Sequence, residues 1–349
     1  MASGDSLILG IESSCDETSA AVVRDGREVL SNIVASQYDL HEKFGGVVPE
    51  IASRAHIERI DPVINKALSE MGMSMADIDA VAVGHRPGLI VSLLVGVSAA
   101  KALAWATGKP LIGIDHVQAH LYAAALDDKP IDYPALGLVV SGGHTSLYEL
   151  DGPTESQLLG RTIDDAIGEA YDKVAAILQL GFPGGPILDT AAQCGDASRL
   201  KFPRTLLGKD SLDFSFSGIK TAVLYHVRGV PGAVREGVEK GRGRLSAQDV
   251  ADLAASFQAA VVDTLRIKLR RALRATGART VILGGGVAAN SALRAAVEEL
   301  GRKHRLTVRL PALEYCIDNA AMTAGLAYHY LRAGRIDDLE LAATATVRR

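Results

Sequence analysis

The sequence predicts an α/β protein of two related lobes. One observation is alternation: apolar strand, glycine-bearing loop and helix follow one another along the 349 residues, the pattern of strands joined by helical crossovers. The other is recurrence. Residues 7–23 read as strand, Ser/Thr-rich turn and strand, and so do residues 135–150. The repeat marks an internal duplication, with lobes at 1–134 and 135–349 and the last helix free to pack back on the first lobe. A content of 48% apolar and 22% charged residues fits a folded globular chain.

Each element follows from local pattern. Leu7–Ile11 and Ala20–Val23 read as strands, and the turn between them carries Asp16 and Glu17. A solvated hairpin tip is the ordinary reading of such a turn. Two acids between core strands instead point to function, as contacts to phosphate or to Mg²⁺. Ile51, Ala55, Ile60, Ile64 and Leu68 space a helix over 51–71, which Pro62 should kink or split; His56 on it reads as structural. A strand over 78–83 leads through a loop to an apolar helix over 90–107. Its uncharged run, Leu89 to Ala100, is too short to span a bilayer and predicts a buried helix. A strand over 111–114 precedes a helix over 117–126.

In the second lobe, strands over 135–140 and 146–150 flank Ser141-Gly-Gly-His-Thr145. A helix over 162–180 carries Asp164, Asp165, Glu169 and Asp172, an acidic face whose plain reading is solvation. Gly181-Phe-Pro-Gly-Gly-Pro186 breaks the chain sharply, and a helix from 187 holds Asp189 near its beginning. Residues 213–221 feed another helix. Residues 225–245, with Arg228, Arg235, Lys240, Arg242 and Arg244, read as an exposed connection. A long helix over 247–276 has a basic end at Arg266, Lys268, Arg270, Arg271 and Arg274. A strand over 280–283, the run Gly284-Gly-Gly-Val-Ala-Ala-Asn290, a helix over 291–300, a strand over 307–310 and a helix over 320–333 complete the chain.

The chemistry centres on His116 and His120. Histidines at i and i+4 share a helix face and can grip one metal ion; read blandly, one caps the helix and the other packs. The zinc-protease motif H-E-x-x-H has this spacing, but Val117 stands where its general base would be. The pair therefore suggests a metal without peptide hydrolysis. Asp318 has no salt partner nearby in sequence and is a candidate third ligand. Gly142 and Gly143 would let backbone N–H groups cradle a phosphate, and the Gly284 run would bring backbone close to a nucleotide at a helix N-terminus. It is not a G-x-G-x-x-G fingerprint.

Three scattered cysteines (Cys15, Cys194, Cys316) make no disulfide framework or metal clip and suit a reducing cytoplasm. No signal peptide is visible. A net charge of −4 is no nucleic-acid signature, so an RNA partner would need a local basic patch or help from other subunits.

Nine blocks in order carry a resemblance: LGIESSCDETSAAVV, GGVVPEIASRAH, DHVQAH, LVVSGGHTSL, IGEAYDKVA, GFPGGP, DFSFSGIKTAV, GGGVAANSALR and YCIDNAAMTAG. Together they resemble the tRNA N6-adenosine threonylcarbamoyltransferases (TsaD type), once called O-sialoglycoprotein endopeptidases. The resemblance implies a duplicated actin-like, sugar-kinase-like (ASKHA) fold with a nucleotide cleft. It implies transfer of threonylcarbamoyl from threonylcarbamoyl-AMP to N6 of adenosine 37, in the anticodon loop of tRNAs reading ANN codons. Matched by position, the metal ligands are His116, His120 and Asp318, for Fe(2+) or Zn(2+). Substrate contacts fall on Val139, Val140, Ser141, Gly142, Gly143, Asp172, Gly185, Asp189 and Asn290. Asp16 and Glu17 match acids that support activity. The cleft nucleotide would be threonylcarbamoyl-AMP or ATP, with or without Mg(2+). Implied partners are tRNA, a paralogous dimer partner (TsaB-like) and a small ATPase (TsaE-like), in the cytoplasm and without a membrane.

The chain departs from the pattern at His85-Arg86-Pro87-Gly88-Leu89, where Gly-Pro-Gly-Leu is expected, at Ile90-Val91-Ser92, and in the insertion-like 229–243. These changes concern partner contacts more than chemistry. Rival readings are a metallopeptidase, a non-catalytic nucleotide-binding scaffold, and a carbamoyltransferase acting on a small molecule.

Overall fold

The computed structural model describes residues 5–127, 130–229 and 245–346. The chain opens with an antiparallel meander of β1 (Leu7–Glu12), β2 (Glu17–Arg24) and β3 (Glu28–Ser36). A short helix α1 (Tyr38–His41) and a long α2 (Pro49–Ser69) follow. Then β4 (Ala80–Arg86), α3 (Ile90–Thr107) and β5 (Leu111–Asp115) add parallel strands beside β1, giving the order β3-β2-β1-β4-β5.

After α4 (His116–Tyr122) the same plan is built again. β6 (Ala135–Val140), β7 (Thr145–Gly152) and β8 (Glu155–Arg161) form the meander. Helices α5 (Ile167–Ile177), α6 (Gly184–Ala192), α7 (Ser217–Arg228) and α8 (Ala247–Thr276) come next. Then β9 (Thr280–Gly284), α9 (Ser291–His304) and β10 (Thr307–Arg309) complete the sheet β10-β9-β6-β7-β8, with β9 parallel to β6 and β10. Last comes α10 (Ala320–Arg332).

α10 does not pack on the lobe it follows. Its Ala320, Ala321, Ala324 and Leu326 share a core with Ile8, Ala21, Val23 and Ile114 of the first sheet. Gly10 makes this approach possible, because a β-carbon there would overlap the Ala320 carbonyl. The crossing carries Asp318, just before α10, to the helix that bears the histidines.

Several expectations need correction. Of the kink or split expected at Pro62, the split does not occur, and α2 is continuous from Pro49 to Ser69. Pro62 and the carbonyl it frees, on Glu58, lie on the exposed face, where water replaces the lost bond. β3 and β8 escaped the reading because both are edge strands with little apolar alternation. α5 starts at Ile167 rather than 162, and Asp164 and Asp165 precede it as bonding groups, not as a solvated face. Asp164 accepts from the Ser215 and Ser217 hydroxyls at 2.6 and 2.7 Å, and Asp165 pairs with Lys173 and Lys220.

α3 is not a buried helix. It is long and apolar enough to cross a membrane by length and composition, with a third of it buried. Its Leu93, Gly96, Val97, Ala100 and Ala104 face is covered, while Leu94 and Trp105 are 49% and 75% exposed. Arg235, Lys240, Arg242 and Arg244 lie outside the described residues.

Candidate active site

The metal-binding geometry begins with a cap. Asp115 ends β5 and accepts from the Val117 and Gln118 amides at 3.0 and 3.2 Å, satisfying two free N–H groups of α4. The helix therefore starts at once, with both histidines on one buried face. Arg86, one of the departures from the family pattern, pairs with Asp115 at 3.4 Å. That departure reaches the chemistry through the cap of the histidine helix.

His116 Nε2 and His120 Nε2 lie 3.5 and 3.1 Å from the same Asp318 oxygen. One ligand atom from each of the three residues falls within 4.8 Å of the others. The far nitrogen of His116 faces Glu12 at 3.4 Å and the Ser14 hydroxyl at 3.2 Å. A carboxylate behind a histidine fixes its tautomer and points its other nitrogen at a metal, so the residues fit a divalent ion. Nδ1 of His120 is buried with no hydrogen-bond partner among the described residues.

Electrostatics concentrate here. Burial pushes His116 down, but Asp318 and Glu12 outweigh it and raise it to about 9. Burial, then His116, holds His120 low. Burial alone would raise Asp318, and the histidines instead hold it well below the carboxylate range. His144, in the Ser-Gly-Gly-His turn, is pushed down to about 4 by burial and by both histidines.

Glu12 was not singled out as a site residue. Its signal was present: an acid ending a fully apolar strand. It is wholly buried and also accepts from the Ser14 amide and the Thr323 hydroxyl at 2.9 and 3.2 Å.

Asp16 and Glu17 sit at the start of β2, both buried. Burial raises Asp16, and burial with Asp16 and Asp318 raises Glu17 well above its usual value. His56 supports this turn as a structural residue. Its Nε2–H donates to the Cys15 carbonyl at 3.0 Å and its Nδ1 accepts from the Thr18 hydroxyl at 2.8 Å.

The residues expected to contact substrate come from several elements. Val139 and Val140 end β6 with buried side chains, which leaves only their backbone to meet a ligand. Ser141, Gly142 and Gly143 turn into β7, and β-carbons at Gly142 and Gly143 would meet open space. Gly284 abuts the His120 carbonyl and Gly285, at φ 90°, abuts the Val140 carbonyl, each too closely for a β-carbon. These two glycines bring the Ser-Gly-Gly turn and the histidine helix close together. Asp172 on α5 accepts from the Gly184 amide at 2.8 Å, next to Gly185, and burial with Asp16 raises its pKa.

Asp189 and Asn290 are tied together through Gln258, which the sequence reading missed. Gln258 donates to Asp189 at 3.0 Å and accepts from Asn290 at 2.8 Å. Asp189 also accepts from the Ser291 amide and hydroxyl at 3.0 and 2.8 Å. Val117 packs with Leu121, Ala124 and Val139, so no base stands where a zinc protease keeps its Glu.

Two sheets of one topology, with a His-His-Asp cluster and glycine turns beside it, define a protein of actin-like, sugar-kinase-like fold. Solved structures show the same fold at low identity. Full-length HypF in its phosphate- and nucleotide-bound form matches 95% of this chain and 47% of its own, at a TM-score of 0.60 and 14% identity. The (R)-2-hydroxyglutaryl-CoA dehydratase component A of Acidaminococcus fermentans matches 94% and 99%, at 0.51 and 15%.

The TsaD family model, tRNA N6-adenosine threonylcarbamoyltransferase, matches residues 28–325. Relatives of that name in Trichlorobacter lovleyi and Symbiobacterium thermophilum are each 52% identical, over 97% of this chain and 96% of theirs. One in Clostridium beijerinckii is 46% identical over 98% of both. The chain belongs to the TsaD family, and its activity is transfer of a threonylcarbamoyl group to N6 of adenosine in tRNA.

Proposed function

We propose that the donor is threonylcarbamoyl-AMP, that the acceptor is adenosine 37, and that His116, His120 and Asp318 hold one divalent metal beside the donor. The observation that carries this is the closeness of the three ligands to the glycine turns, through Gly284 against the His120 carbonyl. Two imidazoles and a carboxylate suit Fe(2+), the favoured ion, and also Zn(2+). A metal so held would polarise a carbonyl as a Lewis acid.

The chain's own residues do the rest. The backbone of Val139 to Gly143 and the Gly284 turn hold the adenylate, with Asp172, Gly185, Asp189 and Asn290 fixing the loops around it. Adenosine N6 attacks the carbamoyl carbon, the new C–N bond forms, the bond to the phosphate oxygen breaks to release AMP, and the proton lost from N6 passes to solvent. An amine conjugated to a purine is a weak nucleophile, so positioning carries much of the rate. Asp16 and Glu17 face the cleft as supporting acids, with Mg(2+) a natural partner for them. In this reading the lobes are residues 1–134 and 135–349, with the last helix packed back on the first.

A paralogous dimer partner (TsaB-like) would cover the exposed apolar side chains of α3, a TsaE-like ATPase would join the assembly, and the reaction would run in the cytoplasm. The test is nucleoside analysis of tRNA from cells depleted of the protein. Threonylcarbamoyladenosine should disappear and return with wild type but not with His116→Ala. Full rescue by His116→Ala would remove the metal from the reading.

A further inference from the structure

We propose that the basic end of the second lobe, formed by Arg274, Arg279, Arg302, Lys303 and Arg305, binds the phosphate backbone of the tRNA substrate outside the catalytic cleft. The proposal rests on the tRNA specificity of the family and adds the surface that receives the RNA.

The five side chains come from separate stretches and are brought to one end of the lobe. Arg274 lies in the last turn of α8 and Arg279 just before β9, while Arg302, Lys303 and Arg305 close α9. The Thr307 amide donates to the Arg279 carbonyl at 2.8 Å, which ties the end of α9 to the start of β9. All five are exposed. None of them takes part in an ion pair among the described residues. Glu298 and Glu299 stand one turn upstream of Arg302 and Lys303 without pairing to them.

Three other cations at the end of α8 have structural partners. Arg266 pairs with Asp263 at 2.9 Å. Lys268 donates to the Leu206 and Ser211 carbonyls at 2.8 and 2.7 Å. Arg271 donates to the Gly208 and Ser211 carbonyls at 2.8 and 3.0 Å. Arg266, Lys268 and Arg271 thus hold the fold, and Arg274 is left for a ligand.

Arg305 adds a second observation. It ends α9 at φ 56°, the left-handed conformation that glycine normally fills and that costs other residues roughly 1 kcal/mol. A cation stands where a glycine would be more stable, an outlier of the kind found at functional positions.

The placement suits a substrate whose target base enters the cleft. β9 runs from the patch to Gly284 beside His120, and its length at about 3.3 Å per residue sets the two about 17 Å apart. The stem that carries an anticodon loop can put its own backbone at that distance. Phosphate contacts fix register and orientation while the cleft selects the base. On a chain of net charge −4, one unpaired basic end also orients the approaching polyanion.

Cations beside the edge strand β10 would also discourage strand pairing between molecules, and the experiment separates the two roles. Threonylcarbamoyl transfer to full-length tRNA is measured in the complete modifying assembly across a salt series. The variant is Arg302→Gln/Lys303→Gln/Arg305→Gly, whose glycine relieves the strained residue and favours folding. KM for tRNA should rise about tenfold near physiological salt, and the slope of log KM against log salt should fall by about two, with kcat unchanged. Glu298→Gln/Glu299→Gln should shift KM the opposite way. Unchanged KM and salt slope in a variant of wild-type Tm would overturn the proposal, as would a loss confined to kcat. Absence of transfer by the wild type would instead count against the functional reading.

Discussion

Glu12 and His116 meet at 3.4 Å, carboxylate to Nδ1, one at the end of β1 and the other at the start of α4. The contact leaves Nε2 of His116 as the nitrogen that faces Asp318. Burial would raise Glu12, and His116 brings it below its ordinary value, so the carboxylate stays charged and holds the ring. Glu12→Gln keeps the shape and removes the charge. Metal affinity should fall about 10–100-fold, read by competition with a chelator. Equal affinity would make the contact structural only.

Gly142 tests the nucleotide turn. A valine there meets no protein atom within 4 Å of its β-carbon, so Gly142→Val should keep the wild-type Tm. The added branches would occupy the space where backbone N–H groups approach a phosphate. AMP affinity by calorimetry should drop at least about tenfold, near 1.4 kcal/mol. Unchanged affinity would move the cradle elsewhere.

The fold was largely legible because periodicity survives wherever one face is buried. α3, α8 and α10 sit within one residue of their expected bounds. β3 and β8 were missed because most of their residues are only partly covered and carry little apolar alternation. In the site, His116 and His120 were legible because helical spacing alone puts them together. Asp318 was legible as a candidate third ligand, but its approach depends on α10 crossing to the first sheet, which no local pattern reveals. Gln258 was hidden for a related reason: it reads as one polar residue on a long helix, and its role as link between Asp189 and Asn290 exists only in three dimensions.

Lys268 is fully buried and is held by two backbone carbonyls, with no carboxylate in its hydrogen bonds. It anchors the 206–211 loop that leads into Phe214 and Ser215. Lys268→Met would fill the space and leave the Leu206 and Ser211 carbonyls with the Arg271 guanidinium as their remaining side-chain donor. Unfolding stability should drop by about 3 kcal/mol, measured in urea, with the metal site intact. A loss under about 0.5 kcal/mol would mean that Arg271 alone holds the loop, since surface changes typically cost that little.

Asp16 and Glu17 should show a conflict between stability and activity. Burial raises both, and Asp16 and Asp318 add repulsion on Glu17. Above the usual carboxylate range the folded chain therefore holds more protons than the unfolded chain. Stability falls with rising pH wherever that is so. The cost begins near pH 4 and is complete once pH passes the raised folded values. Asp16→Asn and Glu17→Gln remove it. In chelator-treated protein each variant should therefore have a higher Tm than wild type at pH 7 and an equal Tm at pH 4, while tRNA modification falls at every pH. A Tm gain of the same size at both pH values would show that packing, not charge, is the cause.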